Sequence, residues 1–151
     1  MIFKKLHPDA KEPVRSTAQS AGLDIFARCD NTIPIGGVEL VKTGLTFETQ
    51  VEDHLYWFID LRIRSSLALN GVMLANGAGV IDADYAGNEI GVLLYNTTDE
   101  PYHIPKGEKI AQMIIMPHHS NEAKGVTFKY DQRQGGFRST SLNWIIKIKT
   151  L

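Results

Sequence analysis

Two carboxylates and an aromatic ring crowd the stretch GVIDADYAG, residues 79–87. Asp82 and Asp84 stand two residues apart, and Tyr85 follows at once. In an extended chain residues two apart share a face. Two like charges there repel unless the chain turns between them or one side meets water. A carboxylate ending an apolar run can take a proton from a water within hydrogen-bond reach. The same acids could equally be solvated in a hairpin turn, where Asp is common. Both readings stand on this segment alone. Glycines at 77, 79, 87 and 91 bracket it. Glycine inside a strand pattern marks a bulge, a bend, or a ligand close to the backbone.

A second group lies in IRSSLALNG, residues 63–71. The guanidinium of Arg64 offers a fork of donors suited to a phosphate or a carboxylate. Ser65 and Ser66 add hydroxyls, and amides at a helix start point outward toward an anion. The structural alternative makes Ser65 or Ser66 a helix cap and puts Arg64 in a surface ion pair. No His/Cys cluster suggests a transition metal. His118 and His119 are adjacent, so their side chains diverge in a strand and read as surface residues. The single cysteine, Cys29, excludes an internal disulfide and reads as a buried structural thiol.

The elements that must position these groups are strands. LDIFARC (23–29), VELVKTGLTFET (38–49), HLYWFIDLRI (54–63), NEIGVLLYNTT (88–98) and EKIAQMIIMP (108–117) are short and rich in β-branched and aromatic residues. Turn signals such as Pro34-Ile35-Gly36-Gly37 and Pro105-Lys106-Gly107 separate them. Only SSLALNG (65–71) reads as helical, with Gly71 as its stop. Such strands imply an all-β sandwich or barrel. From Ile146 the chain alternates apolar residues with lysine, like one more strand. The 151 residues suffice for one domain with a real core. A net charge of −1 gives no general attraction to nucleic acid. With no bilayer-length apolar run and no signal-peptide pattern, the expectation is a soluble cytoplasmic or nuclear protein.

Five segments recur in a telling order: SAGLDI (20–25), IRSSLA (63–68), NGAGVIDADYAG (76–87), GEKIAQMI (107–114) and QGGFRST (134–140). Together they resemble the dUTPase family, the trimeric all-β deoxyuridine triphosphate nucleotidohydrolases. The resemblance implies a distorted jelly-roll-like β-barrel over residues 1–131. Residues 132–151 would form a C-terminal arm or lid, to which the alternation from Ile146 adds an extra terminal strand whose docking would hold the lid near a site. It implies hydrolysis of dUTP to dUMP and pyrophosphate, in homotrimers whose sites are shared between chains. Asp82 would activate the water that attacks the α-phosphorus. Tyr85 would pack under the sugar and exclude a 2′-hydroxyl. Asn76 with Gly79, Val80 and Ile81 would form the uracil pocket. Glycines such as Gly77 and Gly79 would let backbone pack against C5 and exclude thymine. Arg64, Ser65, Ser66 and Gln112 would hold phosphates. Asp24 would help place a magnesium ion through water, the ion being bound mainly by the triphosphate.

The tail departs from the family pattern. Gln132 stands where an arginine is usual, five residues before Phe137. Phe137 would stack on uracil, and Arg133 or Arg138 could supply the γ-phosphate contact. Ser141 replaces a glycine. Two alternatives remain at this point. One is a dUTP-binding regulatory protein with weak catalysis. The other is a relative of dCTP deaminases, against which the DADY continuation speaks.

Overall fold

The computed structural model describes residues 1–49 and 55–119. Among them the regular elements are all strands, joined by turns and irregular loops, apart from one short α-helix and one 3₁₀ turn. The strands are β1 (Ile2–Lys5), β2 (Leu23–Phe26), β3 (Asn31–Ile33), β4 (Val38–Lys42), β5 (Leu45–Glu48), β6 (Leu55–Ile63), β7 (Val72–Leu74), β8 (Gly79–Ile81), β9 (Gly91–Asn96), β10 (Tyr102–Ile104) and β11 (Lys109–His119). Helix α1 is Ser65–Leu69, and the 3₁₀ turn is Ala83–Tyr85. The all-β expectation holds. The described ladders form separate sheets rather than one closed barrel: β1–β5, β10–β3, β4–β9–β7 and the largest, β2–β11–β6–β8.

The alternation of β6 explains how the largest sheet sits. Ile59 and Leu61 turn inward and are buried. They join Ile25, Phe47, Val92, Leu94, Ile110 and Met113 in one core. Asp60 and Arg62 take the other face and pair with each other at 2.8 Å. A period of two with one face buried fixes the register, because a one-residue slip would expose the core.

The structure corrects several expectations. The run 38–49 is two strands in different sheets, broken at Thr43-Gly44. Five short strands (β1, β3, β7, β8 and β10) were not foreseen, since each carries too few residues to show a period. Cys29 is exposed, not buried; it lies beyond the end of β2, where the chain has left the core. Helix α1 ends as expected, with Gly71 at φ +74°. The expected strand from Ile146 and the arm 132–151 lie outside the described residues.

Candidate active site

Four of the five recurring segments lie on one sheet. SAGLDI ends in β2, GEKIAQMI runs into β11, IRSSLA begins at the end of β6, and GVID is β8 with the residue after it. All four strands are antiparallel neighbours in the order β2–β11–β6–β8. Segments as far apart in sequence as residues 20 and 114 are therefore gathered by strand pairing alone.

Strand β8 is an edge strand among the described residues: β6 pairs it on one side only. Gly79 faces Leu61, Val80 faces Asp60 and Ile81 faces Ile59. A Cβ added at Gly79 would lie 2.9 Å from both Cβ and Cδ1 of Leu61. That close approach, rather than space for a ligand, requires glycine here. Gly77 is required for a different reason, its φ of +70° in the turn before β8. Ile81 is buried and Val80 is exposed. An edge strand leaves alternate backbone N–H and C=O groups unpaired by its neighbour. Asn76 is exposed in the turn that leads into it.

Beyond Ile81 the chain turns, which resolves the crowding of the two acids. Asp82 is half-buried and Asp84 exposed. Asp82 takes the N-cap position of the 3₁₀ turn in extended conformation, yet its carboxylate does not cap the turn. Its carbonyl accepts from Tyr85 N–H at 3.0 Å. The rest of the loop is fastened to the core. Gly87 N–H donates to Phe47 O at 3.1 Å and Ile90 N–H to Leu45 O at 2.8 Å. Tyr85 is only 8% exposed, and its hydroxyl donates to Glu89 O at 3.0 Å. The ring is thus mainly a core residue, with little of it left to meet a ligand.

The second constellation sits at the other end of β6. Arg64 holds the N-cap position of α1, and no side chain caps that helix. Ser65 and Ser66 are exposed in its first turn. The Arg64 guanidinium is ion-paired to Oδ1 of Asp24. Oδ2 of Asp24 accepts from Ser16 Oγ at 2.8 Å and from Lys109 Nζ at 2.9 Å. Asp24 itself is 5% exposed, and its backbone is fixed by reciprocal hydrogen bonds with Val14. Burial is the largest single influence on this carboxyl and would raise its pKa. The hydrogen bonds from Lys109 and Ser16, with the charge and hydrogen bond of Arg64, outweigh it and hold the pKa below the ordinary aspartate value.

Gln112, on β11, stands directly across from Asp24 on β2 and from Arg62 on β6. Gly22 makes room for it: a Cβ at Gly22 would come within 2.5 Å of Gln112 Oε1. Asp24, Arg64 and Gln112 therefore gather at one end of the sheet, while Asp82 and Tyr85 lie at the other. Ile59 faces Ile81, so Arg64 and Asp82 are displaced in opposite directions, by about six residues in all. At roughly 3.3 Å per residue that is ~20 Å along the strands.

The carboxylate of Asp24, which the resemblance assigns to helping place magnesium through water, is engaged by three donors. Among the described residues no group of three or more His, Cys, Asp or Glu side chains converges to hold a metal. Sequence reasoning missed Lys109 and Ser16, whose only signals were a lysine within the fourth segment and a serine ahead of the first. Arg133, Phe137 and Arg138 lie outside the described residues.

Comparison with known proteins gives concordant matches. The dUTPase family model matches residues 9–141. A deoxyuridine 5'-triphosphate nucleotidohydrolase of Hydrogenobaculum sp. is 40% identical over 147 residues, covering 94% of this chain and 98% of that protein. One of Helicobacter hepaticus is 43% identical over 114 residues, covering 75% of this chain and 69% of the relative. The crystal structure of dUTPase from Streptococcus mutans matches with a TM-score of 0.68 and 32% identity, over 78% of this chain and 95% of that one.

Proposed function

Because the chain belongs to the dUTPase family and is an enzyme that hydrolyses dUTP to dUMP, we propose that Asp82 is the general base of that reaction. The carboxylate takes a proton from a water as its oxygen attacks the α-phosphorus. The bond from that phosphorus to the bridging oxygen breaks, and pyrophosphate leaves. The observation that carries this reading is the position of Asp82. It directly follows the edge strand β8, at the head of a loop fastened to the core. Phosphoryl transfer needs positioning and charge neutralisation more than covalent help.

Uracil is read by the open edge of β8 and by Asn76. Gly79 and Ile81 face the core, so they contribute backbone groups alone. A pocket of fixed backbone donors and acceptors rejects cytosine strongly, because the mismatch leaves polar groups unpaired. The residual exposed part of Tyr85 lies under the sugar and excludes a 2′-hydroxyl. Arg64, Ser65, Ser66 and Gln112 hold phosphates, with Asp24 orienting Arg64. Phe137 stacks on uracil, and Arg133 or Arg138 takes the γ-phosphate. The family is magnesium-dependent; the ion, held by the triphosphate and water, neutralises phosphate charge when bound.

The ~20 Å between Asp82 and Arg64 along the sheet favours sites shared between chains, as in the homotrimers that the family resemblance implies. A single chain's Asp82 and Arg64 are too far apart to serve the same triphosphate. A site takes Asp82, Tyr85 and Asn76 from one chain and Arg64 from a neighbour, with Phe137 from a third. A closed three-fold ring supplies every chain with both neighbours.

Asp82→Asn tests the base. It keeps the shape and removes the proton acceptor. Nucleotide binding is expected to stay near wild type while turnover falls roughly 10²–10⁴-fold, as general-base loss does. Wild-type turnover in the variant overturns the assignment. Asp84→Asn, at an exposed turn position, changes turnover little.

A further inference from the structure

One buried carboxylate at this site holds two cations. Asp24 pairs with Arg64 through Oδ1 and with Lys109 through Oδ2. A single cation would neutralise it. The Ser16 hydroxyl already supplies a further donor to Oδ2. The group therefore carries one positive charge more than its aspartate requires. That surplus lies near the surface, since the side chains of Lys109 and Arg64 are 40% and 29% exposed while that of Asp24 is 7% exposed. Lysine has three donors, and the bond to Asp24 uses one. Gln112 lies directly across from Asp24 on β11, the strand that Lys109 begins. The arrangement is a cationic pair preset by a buried anion, facing outward beside an amide.

We propose that Lys109 is the second cation of the phosphate-holding group, and that Asp24 sets Lys109 and Arg64 together to recognise the charge beyond the α-phosphate. The proposal rests on the reading of Arg64 as a phosphate-holding residue. Lys109 is thereby a determinant of triphosphate over monophosphate binding. It adds little to recognition of uracil or deoxyribose, which belongs to the β8 end of the sheet. Because the group is partly exposed, its contribution weakens with added salt.

The test is the ratio of two affinities, for the α,β-imido analogue of dUTP with magnesium and for dUMP. It is measured by calorimetry on the full-length protein and on the variants Lys109→Gln, Lys109→Met, Lys109→Arg and Arg64→Ala. Lys109→Gln retains a donor for Asp24, so folding is preserved even if Lys109→Met is unstable. The expected result is a preference for the triphosphate reduced by about tenfold in Lys109→Gln, the scale of one charge-assisted contact at a partly exposed site. The affinity for dUMP should not change, and Lys109→Arg should restore the preference. If Lys109→Gln keeps the full preference while Arg64→Ala loses it, the proposal is overturned and the reading of Arg64 stands. If Lys109→Gln weakens both nucleotides equally, Lys109 is a structural partner of Asp24 and the proposal is likewise overturned. If Arg64→Ala leaves the preference intact, the phosphate reading itself fails and the proposal falls with it.

Discussion

Replacing Asp24 by asparagine removes one negative charge and leaves Arg64 and Lys109 facing each other without it. The amide can accept through one oxygen only, so either Arg64 or the Ser16–Lys109 pair meets an NH₂ group instead. Breaking a fully buried ion pair costs about 3–5 kcal/mol. Here the cations are partly exposed and regain water, so the loss should approach ~2 kcal/mol, near the lower range for a hydrogen bond to a charged group. For a chain of this size that corresponds to a melting temperature lower by roughly 4–8 °C. The pH dependence has a definite sign. The carboxyl of Asp24 is held below its ordinary value, so its contribution to stability is complete above the unfolded value. It is lost as pH falls from about 4 through the lower folded value. Asp24→Asn should therefore lose stability at neutral pH and show a flatter acid limb than wild type. Without the carboxylate to orient it, Arg64 should wander. The specificity constant kcat/KM for dUTP is expected to fall by up to ~10²-fold, the scale of a misplaced positioning group. Differential scanning fluorimetry from pH 3 to pH 8, with steady-state pyrophosphate release, measures both effects. Unchanged melting at pH 7 together with unchanged kcat/KM would refute the assignment of Asp24 as the anchor of this group.

Two glycines offer further tests. Gly22→Ala places a methyl 2.5 Å from Gln112 Oε1; the amide must swing away, and KM for dUTP should rise while the fold persists, because the obstructing atom ends a flexible side chain. Gly79→Ala puts a methyl 2.9 Å from Leu61 Cβ; β8 must part from β6 at a cost of about 1–3 kcal/mol, read by denaturant unfolding, with turnover falling because Asp82 moves with the strand.

The fold class was legible because it rests on local pattern, while the candidate site was read through the resemblance carried by the five ordered segments. Strands β6, β9 and β11 carry enough β-branched and aromatic residues to reveal themselves, and α1 has a glycine stop that the structure places at positive φ. Strand β8 was not legible as a strand. Gly79–Ile81 is only three residues long, and its strand character comes from pairing with β6. The turn after Asp82 was left open by the sequence, and a 3₁₀ turn separates the two acids. Arg64 read equally well as a phosphate or a carboxylate ligand. Its partner among the described residues is a carboxylate, Asp24, 40 positions away. The two remaining partners of Asp24 could not be read because the pairing of β11 with β2 brings Lys109 to it and the isolated bridge between Val14 and Asp24 brings Ser16. Tyr85, which the resemblance places under the sugar, has a ring that is mostly core, a burial its position in the sequence did not show.

The central claim is that Asp82 of one chain acts with Arg64 of another. Subunit mixing tests it most directly: Asp82→Asn and Arg64→Ala chains, each nearly inactive alone, are unfolded together, refolded in equal amounts, and assayed for pyrophosphate release from dUTP. If each site draws the two residues from different chains of a closed ring, random assembly leaves about a quarter of the sites intact, and activity should recover to about that fraction of wild type. If mixed assemblies, verified by distinct tags on the two chains, stay at the level of the parent variants, then Asp82 and Arg64 serve one site within one chain and the account is wrong.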